Sequence, residues 1–385
     1  MANAGSVIGA AESLRRSSAE AARELLSLGL GPPAAAAARL ADLTPEAEVF
    51  AGPAFHSPYR FDGDALIILD QRELPGRSVM VACRDASEVA SAIHLGAINR
   101  GPVLGPVAAY ALAMTAASSA GRPHDSRRRT FAAAANTLRA ARLEVHAITW
   151  AVQRMARRYA MLEDAAADGA GAAAALSDEA DTITSEAAAA HARLGQRGAQ
   201  ALPVRAGRPL DLLMHADMGP LSCGLVGTGM AVVQALVATG REVHVWLTEA
   251  RPSMEGSRLS ALQMGQSDVS HTVVADSAVA WLLERAMVDA VLLRADRVSA
   301  RGDTTALIGS LGVARLASAA GVPVHACAPE SAIDSSTEDG ADLAAGLPVP
   351  APAAGRLEPT VDIVPAAVIT SFFTQTGAPP AIGGR

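Results

Sequence analysis

The chain is poor in aromatic side chains and in cysteine, and it carries no strong charge of either sign. Six Phe, three Trp and three Tyr make up only 3% of 385 residues while half of all residues are hydrophobic, so any core must be built from small aliphatic side chains. Cys83, Cys223 and Cys327 form neither a metal-spaced cluster nor a disulfide framework, which excludes a small cystine-stapled scaffold and points to a reducing, cytoplasmic setting. A formal net charge of -7, from 39 acidic and 32 basic residues, offers no broad basic face and argues against nucleic acid as a partner. No stretch reaches the roughly twenty uninterrupted apolar residues of a membrane span, and no secretory pattern opens the sequence, so no membrane partner is expected.

What is present is length enough for two domains behind an appendage. The expected boundaries are an alanine-rich, partly helical extension over 1–54, a mainly helical domain with a small β unit over 55–197, and a Rossmann-like α/β domain over 198–385. In the extension, Ala11 to Leu28 has apolar residues at helical spacing. Asp62-Gly63 signals a turn, Ala65 to Leu69 a strand, and Pro75-Gly76 its end. Helical periodicity then predicts helices over Ser87–Ile98, Gly105–Ser118, Phe131–Leu138, Val145–Ala165 and Ser177–Leu194. The basic run Gly121 to Thr130 reads as a solvated loop between helices, and the glycine-bearing run Ala167 to Ala175 as a linker or a poorly packed helix end.

After Gly198 short apolar runs alternate with helical ones. Candidate strands Leu212–His215, Glu242–Leu247, His271–Val274, Ala290–Leu293 and Val324–Ala326, joined by long crossovers, predict a doubly wound, mainly parallel sheet covered by helices. Such a sheet directs ligands to the carboxyl ends of its strands, where this chain puts His215, Asp217, Asp276, Arg294 and Asp296. No strand runs into GxGxxG: the GLVGTG of Gly224 to Gly229 has the wrong spacing and reads as part of the next helical region, so no dinucleotide cofactor is expected. His215, His244 and His271 lie in separate strand regions without ligand spacing, and no metal is expected either.

Several ordered motifs resemble the methylthioribose-1-phosphate isomerase family: ILDQRELPG (Ile68 to Gly76), EARPSMEGSRL (Glu249 to Leu259), ADR (Ala295 to Arg297), APESAID (Ala328 to Asp334) and VDIVPAAVIT (Val361 to Thr370). The resemblance runs from about Phe61 to Gly377. It implies the fold shared with initiation factor 2B regulatory subunits, a homodimer, and conversion of an aldose 1-phosphate to a ketose 1-phosphate. It further implies that a cysteine and an aspartate transfer the proton while cationic and polar groups hold the phosphate.

The matched positions depart from that pattern. The family's THCNAG falls on MHADMG, Met214 to Gly219, which puts Ala216 at the cysteine, and an alanine methyl transfers no proton. Asp276 matches the aspartate of the family's TDN motif, with Ser277 in place of the asparagine. RGAPAIG falls on Asn99 to Gly105, so Asn99 replaces the phosphate arginine and Arg100 lies one residue away. RPTAVNL falls on Arg142 to Ile148, keeping Arg142 but bringing in Glu144. Glu255 replaces a glutamine, and Ala306-Leu307 an asparagine-lysine pair.

The reading is a diverged isomerase-like enzyme that transfers a proton on a sugar-derived or nucleoside-related metabolite without the usual 1-phosphate. Asp276 is the acid or base, His215, Asp217 and Cys223 are further catalytic candidates, and Arg142, Glu144, Glu255, Asn99, Arg100 and Ser277 are the substrate-binding set. The alternative is a noncatalytic metabolite-binding or assembly protein on the same fold, in which the new carboxylates merely neutralise an old hole; residual aldose-1-phosphate isomerase activity is the lesser one. His215 and Cys223 carry an equally open structural reading as satisfied or packed core residues.

Overall fold

The computed structural model describes residues 57–164, 168–347 and 357–377. The extension, with the helical spacing read over Ala11 to Leu28, lies outside them. The described chain opens with an antiparallel sheet of β1 (Tyr59–Phe61), β2 (Leu66–Leu69) and β3 (Met80–Cys83), in the order β1-β2-β3. Five helices follow: α1 (Ala86–His94), α2 (Leu104–Ser119), α3 (His124–Ala141), α4 (His146–Asp164) and α5 (Gly169–Ala201). Helix α2 is buried almost throughout, as its unbroken apolar run requires, and forms the centre of the helical core with Val89, Leu138, Ile148 and Leu176.

The loop expected over the basic run is helical instead, and the glycine-bearing run takes the helix-end alternative. Helix α3 begins at His124 inside the basic run, because Arg128 and Arg129 take its solvent face while Phe131, Ala135 and Leu138 pack inward. The glycine-bearing run joins α5 from Gly169, after Asp168 caps Gly171 N–H at 2.6 Å. Gly169 is needed there for close packing: a Cβ would lie 2.0 Å from the Ala120 carbonyl oxygen. Helix α5, 33 residues long, packs Leu176, Ala180 and Ile183 in the helical core and Leu194 and Ala199 against the second sheet.

That sheet has the order β12-β10-β7-β4-β5-β6, with every neighbouring pair parallel: β4 (Leu210–His215), β5 (Val243–Thr248), β6 (His271–Val274), β7 (Ala290–Arg294), β10 (Val324–Cys327) and β12 (Ser371–Phe373). Alternation along the strands separates two cores. Leu212, Met214, Val245 and Leu292 face α7 (Gly229–Ala238) and α5, whereas Leu213, Val291, Leu293 and Ala326 face α9 (Val279–Glu284) and α10 (Ser310–Ala319). Short helices α6 (Pro220–Cys223) and α8 (Ala261–Gln266) follow β4 and β5, and a small antiparallel sheet of β8 (Arg297–Val298), β9 (Thr304–Leu307) and β11 (Val361–Val364) lies beside β7. The chain is thus an α/β protein with a doubly wound parallel sheet and a helical subdomain. GLVGTG forms a turn between α6 and α7, with Gly224 and Gly227 at φ 80°, rather than continuing a helix.

His325 in β10 stacks on Phe373 with centroids 4.5 Å apart, and its Nδ1 lies 2.8 Å from Ser371 Oγ. Burial depresses its pKa to about 4. A depressed histidine stabilises the fold fully above its ordinary value near 6.5, and that contribution is lost as pH falls toward 4. Between pH 7 and pH 5 the wild type should lose about 2 kcal/mol more stability than His325→Asn. Equal pH slopes in urea unfolding of the two proteins would show that the ring carries no such linkage.

Candidate functional site

The order of the strands reverses between β4 and β7, and the carboxyl ends of these two strands and of β5 converge there. Directly after β4, Ala216 takes φ 76°, and after β5, Ala250 takes φ 59°; both are left-handed conformations that alanine seldom adopts. These two methyl groups pack with Leu307 and the partly buried Ile308.

Beside that apolar contact is a closed polar cluster. Asp217 is wholly buried and accepts from Ser222 Oγ (2.5 Å), Gln263 Nε2 (2.7 Å) and Ser260 Oγ (3.2 Å). Ser260 and Gln263 reach it from the helix after β5, which opens with a π-turn over Gly256–Ser260. Arg294, at the end of β7, donates from Nε to Asp296 Oδ1 at 2.8 Å, and from Nη1 to the Asp217 carbonyl at 2.5 Å and Glu255 Oε2 at 3.2 Å. Asp217, Glu255, Arg294 and Asp296 are each at most 2% exposed.

Burial raises the Asp217 carboxyl above the usual range and does the same to Asp296 despite the Arg294 guanidinium. Burial also works against Glu255, but there Arg294 and Arg100 prevail and hold it below. Arg294, which burial alone would depress, is raised by Asp296 and Glu255 and stays protonated.

Asn99 joins this cluster through its amide, which donates to Ser222 Oγ at 2.9 Å. Arg100, 7% exposed, donates to the Thr360 carbonyl at 2.6 Å and lies 4.0 Å from Glu144. Glu144 is also 3.5 Å from Arg142, whose Nη2 donates to the Ile93 and His94 carbonyls. Arg142 and Glu144 line a cavity of about 540 Å³ between the helical part and the small sheet, together with His94, Leu311, Thr360 and Asp362. The structure therefore divides the substrate-binding candidates into Asn99 and Glu255 in the closed cluster, Arg142 and Glu144 on the cleft, and Arg100 between the two.

The other candidates are bonded elsewhere. His215 places Nδ1 2.7 Å from Thr248 Oγ1 and Nε2 2.8 Å from the Ile308 carbonyl, and burial lowers its pKa. Both ring nitrogens are thus satisfied by the fold. Cys223 ends α6 instead of starting a helix; its thiol contacts Thr228 Oγ1 and is pushed by burial up to about 12, the reverse of activation. Asp276, after β6, accepts the N–H groups of Ala250 (2.8 Å) and Arg251 (2.9 Å), and so fixes the backbone that carries the left-handed Ala250; Ser277 beside it is exposed. Arg251 meets Glu249 at 3.1 Å and Arg297 meets Asp334 at 2.6 Å, so both arginines bridge to carboxylates of the chain.

Sequence reasoning missed Ser222, Ser260 and Gln263. The signal for the last two was available in their three-residue spacing, which sets them on one helix face behind the EARPSMEGSRL segment. The chain also contains no lysine at all, so each of its 32 basic residues is an arginine. Among the described residues no group of three or more His, Cys, Asp or Glu is arranged to hold a metal ion, and no helix is long and apolar enough to cross a membrane.

A doubly wound parallel sheet with a helical subdomain, and a buried cluster of ionisable groups at the carboxyl ends of its strands, define an α/β protein of isomerase-like fold. The sequence model of the initiation factor 2 subunit family matches residues 102–381. A methylthioribose-1-phosphate isomerase of Synechococcus sp. is 36% identical over 330 residues, covering 83% of this chain and 92% of its own length. One from Chloroflexus aurantiacus is 32% identical over 330 residues, covering 82% and 93%. The crystal structure of 5-methylthioribose 1-phosphate isomerase from Pyrococcus horikoshii superposes with a TM-score of 0.71 at 28% identity, over 85% of this chain and 93% of that one. The chain belongs to this family of initiation factor 2 subunits and methylthioribose-1-phosphate isomerases.

Proposed function

We propose that the protein is a diverged isomerase-like enzyme that moves a proton on a sugar-derived or nucleoside-related metabolite lacking the usual 1-phosphate. The observation that carries this reading is that the guanidiniums available to an anion already face carboxylates of the chain: Arg294 those of Asp296 and Glu255, Arg142 that of Glu144. A phosphate dianion in the cleft would meet Glu144 and Asp362 with no lysine to offset them. A hydroxylated or amino-bearing ligand finds acceptors there instead. Ala216 at the family's cysteine position, with Asn99, Glu255, Ala306 and Leu307 at its anion-holding positions, agrees with that change of ligand.

With no lysine side chain to form a Schiff base, and with His215 and Cys223 bonded within the fold, the reading rests on acid–base chemistry by carboxyl groups. Asp296 suits the task best, because burial raises its pKa and the charge of Arg100, the residue beside the cleft's Glu144, reaches it. Asp217 and Asp276 are the remaining candidates. In D2O, unphosphorylated aldoses and nucleosides offered to the protein should exchange a carbon-bound proton for deuterium, with the rate falling about 10²–10⁴-fold in Asp296→Asn while binding persists.

The noncatalytic reading draws on the spent nitrogens of His215 and on the packing of Ala216 against Ala250 and Leu307. Ligand binding by the wild type without any exchange would remove the enzyme reading and leave that one.

A further inference from the structure

Glu144, between α3 and α4, is 6% exposed, yet the shortest hydrogen bond its carboxylate accepts is 3.5 Å long, from Arg142 Nη1 to Oε1. The neighbouring guanidiniums spend their better bonds on the backbone: Arg142 Nη2 donates to the Ile93 and His94 carbonyls, and Arg100 Nη1, 4.0 Å from Glu144 Oε1, donates to the Thr360 carbonyl at 2.6 Å. Glu144 Oε2 accepts from no group among the described residues, and it is not sealed in the interior but opens into the cleft of about 540 Å³. A carboxylate so deeply placed ordinarily gathers short bonds, as Asp217 does from Ser222 and Gln263. The open oxygen of Glu144 therefore wants a donor from a ligand.

Asp362 supplies a second acceptor close by. Thr305 of β9 donates from Oγ1 to the Glu144 carbonyl at 2.9 Å, and the next residue, Ala306, pairs with Asp362 of β11. Asp362 Oδ2 takes the N–H groups of Gly309 and Leu311 at the start of α10, at 2.8 and 2.9 Å, while Oδ1 accepts from none of the described residues. Among the described residues that line the cleft, these two carboxylates face one guanidinium, that of Arg142, with the exposed His94 beside them; Arg100 stands behind Glu144, outside the lining. Much of the remaining wall is aliphatic, from Leu311, Leu347, Val361 and Ile363. A phosphate would add to the negative charge, and a hydroxyl brings a single donor. An ammonium brings three N–H donors together with the positive charge that the lining lacks.

Building on the reading of the cleft as the site of an unphosphorylated metabolite, we propose that its ligand carries a primary ammonium group, held by Glu144 Oε2 and Asp362 Oδ1, with the carbon skeleton against the aliphatic wall. The ligand class is then an amino-bearing sugar or nucleoside.

Three nucleosides that differ in one group, 5′-amino-5′-deoxyadenosine, adenosine and adenosine 5′-monophosphate, should be titrated into the full chain by calorimetry at neutral pH. The amine should bind about tenfold tighter than adenosine, and the monophosphate more weakly than either. Glu144→Gln should bring the amine down to the affinity of adenosine while leaving adenosine itself within about twofold, which also shows the variant folded. Equal binding of the amine and adenosine by the wild type overturns the ammonium assignment and leaves the unphosphorylated reading standing, whereas tightest binding by the monophosphate overturns both. The ammonium assignment also falls if none of the three binds up to its solubility limit, or if the preference for the amine survives Glu144→Gln.

Discussion

Arg294→Met should lower stability by about 3–5 kcal/mol, because it strands the carboxylates of Asp296 and Glu255 in the interior rather than because it deletes one side chain. The guanidinium holds Asp296 and Glu255 directly and ties the Asp217 carbonyl to them. Removing it should raise the pKa of all three acids. A carboxyl group whose folded pKa is raised stabilises the fold below its unfolded value and loses that contribution as pH rises through the folded one. The deficit of Arg294→Met should therefore shrink between pH 7.5 and pH 5.5, as the carboxyl groups take up protons.

Adding Glu255→Gln and Asp296→Asn should restore much of the loss, since neutral partners no longer need the cation. Denaturant midpoints at the two pH values, for the single and triple variants, measure each step. A single-variant cost below about 1 kcal/mol would mean that water already reaches the cluster and that it is not a closed network.

That network also marks where sequence reasoning ends. Five of the six strands of the parallel sheet were legible because each is a short apolar run bounded by turns: His271–Val274 matches to the residue and the other four differ at their ends by one or two, while Ser371–Phe373, only three residues long, went unread. Gly169 shows the opposite case, since its glycine suggests a break until the Ala120 carbonyl is seen to occupy the space of its Cβ. At the site, Asp217 and Glu255 stood out as added carboxylates, but their partner is Arg294, 39 positions from Glu255 in the chain. Such a pairing follows from the parallel register of β4, β5 and β7 and leaves no local pattern. Asp276 was conspicuous as a strand-end acid followed by a helix, yet its two N–H donors come from the loop after β5, another feature invisible until β5 and β6 are laid side by side.

Restoring the cysteine alone should not restore isomerisation of methylthioribose 1-phosphate. A thiol in place of the Ala216 methyl would enter a setting formed by Ala250 and Leu307, and burial would push it upward as it does Cys223. The phosphate would still lack several charge-assisted hydrogen bonds of roughly 1.5–3 kcal/mol each. Loss of about 4 kcal/mol already separates micromolar from millimolar binding, and the missing acid–base group removes a further 10²–10⁴ or so in rate.

Wild type and Ala216→Cys should accordingly agree within about tenfold, both on the order of 10⁵-fold or more below a family isomerase in kcat/KM. Combining Ala216→Cys with Asn99→Arg, Glu255→Gln and Leu307→Lys should raise turnover about 100-fold above Ala216→Cys, provided circular dichroism shows the variant folded. Only together do these changes return a cation to the anion position and supply the charge that lowers a thiol pKa. A 100-fold gain from Ala216→Cys by itself would show that the phosphate site survives in another form, with Arg100 or Arg142 holding the anion, and would place the divergence of this chain at a single residue.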